Sequence, residues 1–65
     1  MTAWVTPSGD PIACRDKLRV LDDNLQEARQ VLQDAFEDAV LMGVDPARVR
    51  QVFAELTANL GAPHP

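Results

Sequence analysis

The chain has 65 residues, ten acidic against six basic, for a formal net charge of −4. A single cysteine and a single histidine exclude an intrachain disulfide and a Cys/His zinc pattern. The acidic balance argues against a phosphate-backbone partner, because nonspecific nucleic-acid binding is driven by Lys and Arg displacing counterions. A chain this short buries only about 60% of the surface its unfolded form exposes, so its core is marginal without disulfides, a metal or oligomerisation. Only oligomerisation is left, and residues 1–65 are expected to form one small domain.

Residues 1–9, "MTAWVTPSG", carry Pro7, Ser8 and Gly9 and no periodicity, which predicts an extended arm. Trp4 is the only tryptophan. It either docks across the first helix or anchors a partner.

From about residue 11 to 42 the periodicity is helical. With Leu18 as position a, the heptad runs Leu18, Leu21, Leu25, Ala28, Leu32, Ala35, Ala39 and Met42 through alternating a and d, with Cys14 on the preceding d. Val31 at g and Phe36 at e widen the stripe. No Gly or Pro interrupts residues 12–42, and a helix of about 31 residues would span roughly 46 Å.

Two Asp-Pro pairs follow closely after glycines, Asp10-Pro11 after Gly9 and Asp45-Pro46 after Gly43. Aspartate at an N-cap accepts from the free amides of the first turn, and proline at N1 loses no needed hydrogen bond. Both pairs therefore predict helix starts. At the second, Gly43 is placed as the C′ residue that ends the first helix, and Val44 and Val49 are spaced as a hydrophobic staple. Val49, Val52, Phe53, Leu56 and Leu60 then line one face of a second helix over about 46–60. Residues 62–65, "APHP", predict a flexible tail, since Pro63 and Pro65 cannot continue a helix and His64 lies outside both.

The expected fold is all-α: an antiparallel helical hairpin with unequal arms. A helix of about 15 residues covers only half of one of about 31, leaving Leu18, Leu21 and Leu25 in water at roughly 1.5–3 kcal/mol each. A two-fold dimer resolves the mismatch as a four-helix bundle, with an interface of Cys14, Leu18, Leu21, Leu25, Ala28, Leu32 and Ala35. In an antiparallel pairing Leu18 meets Ala35, Leu25 meets Ala28, Cys14 meets Ala39, Lys17 approaches Asp38, and Asp22 approaches Arg29. Large residues thereby face small ones. A docked Trp4 arm is the rival cover for the same half.

The side chains with chemistry to offer have plain readings. Asp22, Asp23, Glu27, Asp34, Glu37 and Asp38 lack the Glu-x-x-His pairing of a bundle metal site and read as solvated charge. Cys14 has Arg15 and Lys17 close by but no histidine base, so it reads as a core residue. Arg48 and Arg50 sit unfavourably at a helix N-terminus, which suggests that they serve an ion pair or a partner. No cofactor or metal is expected. No apolar run approaches the roughly 20 residues a bilayer requires, and a free thiol with no export signal fits the cytoplasm.

In outline, the expected assembly resembles the small dimeric hairpin proteins of the Rop type, RNA-binding regulators of plasmid copy number that are also four-helix bundles of two hairpins. The likeness is one of shape, and fold alone does not carry function across. The chain is expected to be a non-enzymatic protein–protein interaction module acting as a homodimer, with Trp4, Arg48 and Arg50 as partner contacts. The alternative is an RNA- or DNA-binding regulator using Arg15, Arg19, Arg48 and Arg50.

Overall fold

The computed structural model describes residues 4–63, so Met1–Ala3 of the expected arm and His64 and Pro65 of the expected tail lie outside the described residues. Two helices, α1 (Arg15–Leu41) and α2 (Pro46–Ala58), pack against each other as a hairpin. Moving along α2 from Arg50 to Phe53 leads back along α1, since Arg50 lies over Phe36 and Phe53 faces the groove that begins at Leu25.

The bend follows the expected plan at Gly43, Asp45 and Pro46, while Val44, expected to clasp Val49, is 42% exposed. Gly43 adopts φ 100°, a left-handed conformation that costs a side-chain-bearing residue most. Its amide donates to the carbonyl of Val40, and the amide of Val44 donates to that of Ala39, each at 3.0 Å. Those two bonds are the Schellman pattern that closes a helix C-terminus. Two residues on, Asp45 Oδ2 accepts from the Arg48 amide at 3.3 Å, and Pro46 opens α2. A cap of this kind contributes about 1 kcal/mol. Val49, one turn in, is 4% exposed and is the only residue buried that deeply among the described residues.

The first Asp-Pro does something different, which corrects the expected start of α1. Asp10 caps no helix. Its carbonyl accepts from the Thr6 amide at 2.8 Å and its own amide donates to Thr6 Oγ1 at 3.1 Å. Gly9, at φ 93°, turns the chain back, and Val5 pairs with Pro11 in an antiparallel bridge. The bridge bonds run from Thr6 to Asp10 and from Ile12 to Trp4, so Pro11 sits where no amide is required. The expected extended arm is therefore a tight reversal, and it takes residues 11–14 away from the helix. α1 has 27 residues, about 40 Å, rather than about 31.

The far end of α2 also falls short of expectation, at Ala58 rather than Leu60. Thr57 Oγ1 donates back to the Phe53 and Ala54 carbonyls, and the Asn59 side-chain amide donates to the Glu55 carbonyl at 2.8 Å. Side chains that capture carbonyls compete with continuation of the helix. Leu60, expected on the apolar face of α2, is left outside it and 72% exposed.

Candidate functional site

The two flanks of the α1 seam are covered very differently. On the a/e flank, Leu18, Leu32 and Ala39 at a and Phe36 at e are half-buried. The hairpin covers one end of this flank. Arg50 places its guanidinium 5.0 Å from the Phe36 ring centroid, a cation–π contact worth about 0.5–1 kcal/mol at an exposed site. The arm covers the other end. Trp4 is half-buried and its indole Nε1 donates to Asp22 Oδ1, at an e position, over 2.8 Å. Trp4 thus docks on its own chain, and Asp22 is the carboxylate that receives it.

Neither cover reaches the middle. An open apolar groove of about 390 Å³ lies between them, bounded by Leu25, Leu32, Phe36 and Phe53, and Leu25 is 43% exposed. The expected exposure of Leu18, Leu21 and Leu25 is therefore reduced. The first two are half-buried and the third faces the gap.

On the d/g flank the apolar positions lie open. Ala28 and Ala35 at d are exposed, and so are Val31 at g and Met42 at d, the latter 84% exposed. Leu21 is the half-buried exception, beside a second open apolar groove of about 350 Å³ lined by Ile12, Lys17, Val20 and Leu21. Ile12 falls within the expected span of the first helix but off its heptad seam, and the structure puts it on the reversal before α1. The clue was its place as the last large apolar side chain before α1.

The surface of the whole chain carries the same message. It exposes 5875 Å², whereas a compact folded monomer of 7.1 kDa exposes about 4,100 Å². The radius of gyration of 15.1 Å compares with about 11 Å for a compact chain of this length.

The other expected site residues are spread along the hairpin. Cys14 is exposed at the N-cap of α1, where its side chain makes no cap hydrogen bond. The Lys17 amide, and after it the Asp16 amide, favours a thiolate there and lowers the thiol pKa; slight desolvation opposes this and the Lys17 charge adds to it. Arg15 and Arg19 lie in the first turns of α1, whereas Arg50 lies over Phe36, about 25 Å along the axis from Arg19. The four arginines therefore do not gather into one patch. The Arg48 guanidinium donates to Gln51 Oε1 at 3.2 Å.

Among the surface carboxylates, Asp34 accepts from Gln30 at 2.9 Å and Glu37 from Gln33 at 3.3 Å, one helical turn apart in each case. Among the described residues no group of carboxylate, histidine and cysteine side chains is placed to hold a metal ion, and no helix is long and apolar enough to cross a membrane. Compared with protein-family models, curated proteins and solved structures, the chain matches none.

Proposed function

We propose that this chain is a small non-enzymatic protein–protein interaction module that works as a homodimeric helical bundle, serving as an adaptor, assembly factor or regulator. The observation that carries the reading is the uncovered apolar seam of α1, in a chain with one deeply buried side chain among its described residues. The chain exposes about 1,800 Å² more than a compact monomer of its mass would. A stable interface removes about 800 Å² from each partner, so pairing fits within that excess. The polar side chains with most to offer are engaged in holding the fold: Asp22 receives Trp4, Asp45 caps α2, and Arg50 lies over Phe36.

Sedimentation equilibrium at tens of micromolar tests the assembly, with twice the chain mass as the expected result. A stable monomer would overturn it. Cross-linking of a tagged copy in its native cell tests the role. A second protein joined to the bundle is expected, and recovery of nucleic acid in its place would favour contacts through Arg15, Arg19, Arg48 and Arg50.

A further inference from the structure

We infer that the open d/g flank of α1 is the surface that takes the second copy, antiparallel, with Met42 of each chain seated in the groove beside Ile12 of the other and Lys17 paired with Asp38. This rests on the homodimer reading and assigns it a face. The a/e flank is already occupied at one end by Trp4 on Asp22 and at the other by α2 on Phe36. A helix in a bundle meets two neighbours through the two flanks of its seam, and here the d/g flank is the one without a neighbour.

The flank is complementary to itself. Turn a second α1 over it about a two-fold axis centred between Gln26 and Glu27. Ala28 and Ala35, the small exposed d residues of this flank, then share layers with Leu25 and Leu18 of the other copy, which reach in from the a positions of the adjoining flank, so bulk meets space. Lys17 and Asp38, both at g and both exposed, come alongside one another with opposite charge, once at each end. Met42 of one copy comes about 6 Å beyond the first residue of the other α1, at the end where the reversal that carries Ile12 lies against the helix. There it projects, 84% exposed, towards the apolar groove lined by Ile12, Lys17, Val20 and Leu21. The flexible thioether of methionine suits an open groove of irregular shape. The Asp22–Arg29 approach expected from sequence is not part of this pairing, because both residues belong to the e flank and Asp22 holds Trp4.

Charge reversal tests the face without touching the hairpin. Lys17→Asp alone sets two carboxylates against each other at both ends of the dimer, and Asp38→Lys alone sets two ammonium groups together at the same places. Each variant is expected to weaken self-association about tenfold by sedimentation velocity. An equimolar mixture of the two restores both attractive pairs and is expected to dimerise like the unaltered chain.

Met42→Lys is expected to weaken the dimer by a similar factor. Its far-UV circular dichroism below the dissociation constant should stay unchanged, since a cation at a helix C-terminus suits the dipole. An unaltered chain that dimerises, with variants that dimerise equally well, would overturn the face and leave the homodimer standing. An unaltered chain that stays monomeric would overturn both.

Discussion

The two ends of α1 are both covered from within the chain, by means of different strength. At the C-terminal end the cover is a second helix, entered through a Schellman turn at Gly43 and capped by Asp45, with Val49 pressed to 4% exposure. At the N-terminal end it is a nine-residue reversal, from Trp4 to Ile12, held to α1 by one indole hydrogen bond, and α1 begins there at a cysteine that caps nothing. A helix repeats its apolar contacts every turn, whereas a short reversal contributes a few large side chains and leaves the next turn open. The gap at Leu25 marks where the second kind of cover stops.

Substitutions can break this asymmetry at its strong end first. Val49→Asp places an unpaired carboxylate in the most buried position of the hairpin, at a cost of several kcal/mol against a total of about 5 kcal/mol. The far-UV helical signal is expected to collapse. Asp45→Ala removes the cap of α2 and is expected to cost about 1 kcal/mol in urea unfolding, with Asp45→Asn keeping most of it.

The weak end should respond in the opposite direction. Cys14 has extended backbone angles suited to an N-cap, φ −69° and ψ 119°, but its side chain makes no cap bond. Cys14→Ser is expected to stabilise the chain by about 0.5–1 kcal/mol and to raise its melting temperature by several degrees. A smaller effect is expected from Asp22→Ala, which leaves the Trp4 N–H to water. The cost is less than about 1 kcal/mol, and the tryptophan emission should shift to the red as the arm loosens.

The smallest effect is a pH dependence. First-turn amides, that of Lys17 foremost, lower the Cys14 thiol pKa, so the native thiol ionises at lower pH than the unfolded one. The small stabilisation this gives is present above the unfolded thiol's pKa and is lost as pH falls through the lowered native value. Alkylation by iodoacetamide should therefore rise with pH at a lower midpoint in the folded chain than in urea. Coincident midpoints would mean that the amides do not act on the sulfur.

Most of the hairpin was legible because its signals are local. Gly43, Asp45 and Pro46 each have a role set by the backbone within four residues, and each plays it. Asp10-Pro11 carries the same two letters as Asp45-Pro46 and folds otherwise, because Pro7, Gly9 and the Thr6 hydroxyl offer its backbone a competing turn. The early end of α2 has the same origin in Thr57 and Asn59, whose side chains take helix carbonyls.

The heptad located the seam of α1, but heptad letters alone do not tell the a/e flank from the d/g flank when both are apolar. That distinction came from where Trp4, Phe36 and Arg50 settle, which depends on contacts between parts of the chain far apart in sequence.

One chain leaves its long helix part-covered, and we propose that a second completes it. Thermal unfolding across a hundredfold range of chain concentration tests that most directly, because a fold completed by association gains stability by mass action. The expected result is a melting temperature that climbs steadily with concentration. A melting temperature independent of concentration, with the same cooperativity throughout, would contradict it.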